Sequence, residues 1–81
     1  MKHASPATLA TIAPQLAQIR ALNLKERSIG VFYFKSRPFL HFHEDLSGIF
    51  ADVRVAADWE RFAVSDATEW GKLLKCVNDA L

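Results

Sequence analysis

The sequence predicts an α+β domain. It reads as an antiparallel β-meander of three to four strands, with N- and C-terminal helices packed on one face, in the order α-β-β-β-(β)-α. Three observations carry this. Residues 29–55 alternate between two sets of side chains, the period of two that a strand requires. Leu9, Ile12, Leu16 and Ile19 fall on one helical stripe near the start. Trp70, Leu73, Leu74, Val77 and Leu81 form a second stripe at the end. The 81 residues suit one domain, 1–81, with a thin core.

Residues 1–5 show no period and read as a flexible tail. Ser5-Pro6 is a helix start, a capping hydroxyl followed by proline in the first turn. Pro14 interrupts the stripe that follows, because it removes a backbone donor and crowds the preceding turn. One irregular helix, regular over 14–22, is expected, and Asn23–Arg27 reads as a linker.

The strands follow in order. Gly30, Phe32 and Phe34 alternate with Ile29, Val31 and Tyr33; Phe39, His41 and His43 alternate with Leu40 and Phe42; Phe50, Asp52 and Arg54 alternate with Ile49, Ala51, Val53 and Val55. Lys35–Pro38 and Asp45–Gly48 are the turns between them, the second with an acidic start and a glycine end. Pairing Phe34 with Phe39 sets Phe32 against His41. Pairing Glu44 with Ile49 sets His43 against Phe50 and His41 against Asp52. The two hairpins agree on a core face of Ile29, Val31, Tyr33, Leu40, Phe42, Ala51, Val53 and Val55. The opposite face carries Phe32, Phe34, Phe39, His41, His43, Phe50, Asp52 and Arg54. Trp59–Val64 fits a fourth strand that returns Phe62 and Val64 to the core. Asp66 then caps the last helix, with Glu69 at capping-box spacing.

Composition narrows the function classes. The chain is 51% hydrophobic and 23% charged, with net charge +1, so it lacks the basic excess of a nucleic-acid binder. The order of elements resembles the double-stranded-RNA-binding domain. That family needs a basic start to its last helix, and here Ser65-Asp66-Ala67-Thr68-Glu69 is acidic. Residues 1–40 carry a surplus of basic groups and 41–81 a surplus of acidic ones. The meander is expected to set Lys25 and Arg27 against Glu44 and Asp45, and Lys35 and Arg37 against Asp58 and Glu60. No apolar run approaches the ~20 residues a bilayer span requires. Cys76 is the only cysteine, which excludes an intrachain disulfide and fits a reducing, cytoplasmic setting.

His41-Phe42-His43 is the sharpest motif. Residues two apart on a strand project to one side, and Asp52 lies across from His41. Two imidazoles and a carboxylate form a donor set for zinc or iron. A plain hydrogen-bonded cluster explains the same residues, and the spacing departs from the cupin pattern, since Ser47 or Gly48 stands where a glutamate belongs. His41 with Asp52 could act as a general base, but no nucleophile accompanies them, so binding is expected rather than catalysis. The four phenylalanines would form an exposed apolar patch on that face, which a second copy of the chain in a homodimer would cover.

The block FYFKSRPFLHFHEDLSGIFADVRV, residues 32–55, resembles a recurring core of small uncharacterised bacterial proteins. That family has no assigned activity, so the resemblance implies no catalytic residue and no cofactor. The expectation is therefore a self-associating binding module using the aromatic face. The alternative is a metal- or small-ligand-binding protein using His41, His43 and Asp52.

Overall fold

A computed structural model describes residues 1–81 and has the expected α+β architecture. Six antiparallel strands form one sheet: β1 (Lys2–His3), β2 (Lys25–Ser28), β3 (Val31–Phe34), β4 (Arg37–Asp45), β5 (Gly48–Val55) and β6 (Asp58–Ala63). Strands β2 to β6 lie in chain order, and β1 joins the same edge of β4 as β3, beyond the end of β3. The helices are α1 (Pro6–Thr11), α2 (Ala13–Arg20) and α3 (Ala67–Ala80). None is long and apolar enough to cross a membrane.

Helix α1 starts as the sequence indicates, with the Ser5 hydroxyl accepting from the Thr8 N–H at 3.2 Å. The expected single irregular helix is two. The chain leaves helical geometry at Ile12 (φ −114°, ψ 23°), which moves Pro14 into the first turn of α2. A first-turn residue has no intrahelical N–H bond to lose, so the break accommodates the proline. Helix α3 opens on Asp66, whose carboxylate accepts from the Glu69 N–H at 2.8 Å, while Glu69 reaches back to the Ser65 N–H. Trp70, Leu73 and Val77 are buried, whereas Leu81, expected in the stripe, is exposed past the helix end.

The β4–β5 register is the expected one, with His41 opposite Asp52, His43 opposite Phe50 and Glu44 opposite Ile49. The β3–β4 register differs. Lys35 and Ser36 alone make the turn, both at positive φ (52° and 67°), so Phe34 pairs with Arg37. A bulge then places Leu40, not Phe39, opposite Phe32, and Val31 opposite His41. Measured from the expected pairing, β3 is displaced by one residue beyond the bulge, and a one-residue shift exchanges its faces. Phe32 is therefore fully buried, Phe34 packs on the core, and Ile29 is 61% exposed. Phe39, in the bulge, is buried beside Leu40 instead of facing away from it.

Two segments expected outside the sheet belong to it. The tail contributes β1, which pairs Lys2 with Glu44 and His3 with His43, and the linker contributes β2. Both helical layers cover one face. Leu9, Ile12, Leu16 and Ile19 meet Phe32, Leu40, Phe42, Ala51, Val53 and the α3 stripe in one cluster. Gly30, at φ 76° in the β2–β3 turn, permits the approach of α1, because a Cβ there would lie 2.8 Å from Leu9 Cδ2. The anticipated pairing of Lys25, Arg27, Lys35 and Arg37 with acidic turns does not occur. The ion pairs are Lys2–Glu44, Arg20–Glu26, Arg61–Asp52 and Lys75–Asp79.

Candidate metal centre

The sheet face turned away from the helices carries the polar cluster. Strand alternation sends His41 and His43 out from β4, and the ladders add their neighbours. β1 sets His3 beside His43, β5 sets Asp52 beside His41, and β6 sets Arg61 beside Asp52. The result is a convergence of three imidazoles. One ring nitrogen from each of His3, His41 and His43 lies within 4.8 Å of the other two. The His3 and His41 rings each sit 4.7 Å from the His43 ring, centroid to centroid. Trp59 meets the edge of His41 at 4.7 Å and walls that side of the cluster.

Asp52 is buried and doubly engaged. Arg61 donates to it through Nε at 2.8 Å and Nη2 at 2.9 Å, a fork-to-fork pair. His43 Nδ1 approaches the same carboxylate at 2.9 Å, off the line that a hydrogen bond requires. His41 Nδ1 is also buried, with no partner. Two buried imidazole nitrogens without hydrogen bonds on one face are unusual, because such groups are ordinarily satisfied. The Arg61 hydrogen bonds hold the Asp52 carboxyl below its usual range. Burial, and then the neighbouring His43, push His41 down, which favours the neutral ring and a free lone pair.

The expected site residues separate into two groups. His41, His43, Phe50, Asp52 and Arg54 lie on the predicted face, with the Arg54 guanidinium 5.9 Å from the Trp59 ring centre. Phe32, Phe34 and Phe39 do not; they belong to the helix-covered core, so the proposed four-phenylalanine patch reduces to Phe50. The predicted donor set of His41, His43 and Asp52 is also altered. The carboxylate is clamped by Arg61, and the third convergent group is His3. No period in the first five residues marks His3; the only trace is that the chain has three histidines and all of them meet here. Arg61 and Trp59 were within reach of the sequence, since alternation carried through 59–63 puts both on the histidine face.

The largest surface groove, about 410 Å³, lies on the helix side between β6 and α3 and holds Cys76. Burial pushes that thiol up, which suppresses the thiolate a nucleophile needs. It offers no convergent chemistry comparable to the histidine cluster. No family model, curated protein or solved structure matches this chain.

Proposed function

We propose that this chain is a metal-binding domain that holds a divalent transition ion, with zinc the best fit, between His3, His41 and His43. The observation that carries this reading is the convergence of three ring nitrogens within 4.8 Å on one open face. Imidazole donors about 2.0–2.1 Å from a common ion stand roughly 3–3.5 Å apart, so small side-chain rotations would close the set. The unpaired Nδ1 of His41 adds support, because coordination would satisfy a nitrogen that is otherwise without a partner, while His43, whose Nδ1 faces Asp52, would ligate through Nε2. Asp52 fits the carboxylate that orients a ligating histidine through its second nitrogen. The choice of zinc over iron follows from Arg61. Two histidines and a free carboxylate favour non-haem iron, but here the carboxylate is committed and a third imidazole, that of His3, takes its place.

The role that fits is binding, in a reducing compartment such as the cytoplasm, where the single thiol of Cys76 would persist. A second reading, a homodimer through the same face, now rests on Phe50, Val31 and the 41% exposed Trp59. Calorimetry with zinc tests the first reading. One ion should bind per chain, with all three imidazole NMR signals moving together, and His43→Ala should abolish the response. Asp52→Asn should weaken binding about 10–100-fold. Rings that stay unshifted at about millimolar zinc would remove the metal reading.

A further inference from the structure

We infer that the ion held by His3, His41 and His43 keeps one coordination position open and takes a small carboxylate there, with Arg61 as the accompanying cation. This rests on the metal reading above and adds a ligand class to it.

The first support is donor count. Zinc-type ions in protein sites ordinarily take four ligands, and three protein donors with an open position form the exchangeable type of site. The nearby carboxylates are occupied. Asp52 is bound by Arg61, Glu44 pairs with Lys2 and receives the Ser5 N–H, and Asp45 caps the Ser47 N–H. The cluster lies on the face that neither helix layer covers, so the fourth position opens to solvent.

Charge supplies the second support. Three neutral imidazoles leave the double charge of the ion uncompensated, and the one buried carboxylate beside it is already neutralised by Arg61. A net positive centre at a water-accessible position selects an anion over water alone. Arg61 uses Nε and Nη2 on Asp52, which leaves Nη1 free, and its side chain is 49% exposed at the rim. Trp59, Phe50 and Val31 give the surroundings an apolar character that suits the carbon part of a carboxylate better than a bare inorganic ion.

Cobalt substitution makes the open position visible. The cobalt-loaded full chain is titrated with acetate at constant ionic strength, held by non-coordinating perchlorate. Acetate should shift the visible d–d bands saturably. Arg61→Gln should weaken acetate about tenfold, the scale of one partly screened charge contact, while cobalt affinity holds or rises because Asp52 is left unneutralised. That opposition separates an electrostatic role from a structural one, which would lower both affinities together. Bands that do not move up to about 100 mM acetate, or a parallel loss of both affinities in Arg61→Gln, would overturn the inference. Absence of any cobalt band altered by His43→Ala would instead remove the metal reading beneath it.

Discussion

Phe32→Ala tests the β3 register, on which the composition of the histidine face depends. Phe32 has no exposed surface and packs among Leu40, Phe42 and the helices. Truncating a buried phenylalanine removes its transfer free energy and leaves a cavity, which together cost about 3–5 kcal/mol. A domain of this length holds on the order of 4–12 kcal/mol in all. With a urea slope near the low end, about 1–1.5 kcal/mol per molar, the midpoint should fall by roughly 2–5 M or folding should be lost. Phe32→Leu provides the graded arm. It removes less volume, should cost about 1–2 kcal/mol, and keeps the protein measurable if the alanine variant does not fold. Val31→Ala is the comparison, since Val31 is half-buried on the histidine face and should lose about 1 kcal/mol. Urea unfolding followed by tryptophan fluorescence reads all three. Equal midpoints for Phe32→Ala and Val31→Ala would refute the register and return Phe32 to the open face.

Two further perturbations probe the frame around the site. Ala56 holds φ 56° in the two-residue turn between β5 and β6. Relief of about 1–2 kcal/mol of left-handed strain outweighs the added freedom of the unfolded chain, so Ala56→Gly should stabilise by about 0.5–1 kcal/mol and raise the melting temperature by about 2–8 °C; a lower melting temperature would contradict it. Arg20, chiefly through its hydrogen bonds, holds the Glu26 carboxyl below its usual range, with the Gly30 N–H adding to it against partial burial. The unfolded chain therefore binds this proton first as pH falls. The contribution of Glu26 is present above its ordinary value of 4.5 and is lost below it, as pH drops through the lowered folded value. Glu26→Gln should flatten the acid limb of the stability profile in that range, and an unchanged limb would show that the pair is not coupled to folding.

What the sequence discloses, and what it hides, follows from lengths and periods. The β4–β5 hairpin is legible because both strands alternate over many residues and Asp45–Gly48 marks the turn. That legibility delivers His41, His43 and Asp52 onto one face. β3 is misread for two local reasons. Its turn uses Lys35 and Ser36 at positive φ where glycine or asparagine would have announced it, and the bulge at Phe39 breaks the period. Three apolar residues in a bulged hairpin look like an aromatic patch when alternation is carried through without interruption. β1 and β2 are hidden because two residues, or the charged run Lys25–Ser28, have no hydrophobic period to read.

The donor hardest to read is also the one least firmly held. β1 pairs with β4 at only two positions, followed by the Ala4 N–H to Phe42 carbonyl bond, and its Lys2–Glu44 ion pair has an ammonium end 75% exposed. An exposed pair of that kind contributes about 0–1 kcal/mol, and edge segments with few buried contacts open most easily. His41 is flanked by β3 and β5, His43 by β5 and by β1 itself, whereas His3 depends wholly on that short ladder. On the metal reading, two ligands stand on a long strand of the sheet and the third on a two-residue edge strand. Each opening of that short strand removes a ligand, so the metal affinity includes the cost of keeping residues 1–3 paired. The same coupling runs in reverse: an ion shared by His3 and His43 fastens the start of the chain to the sheet.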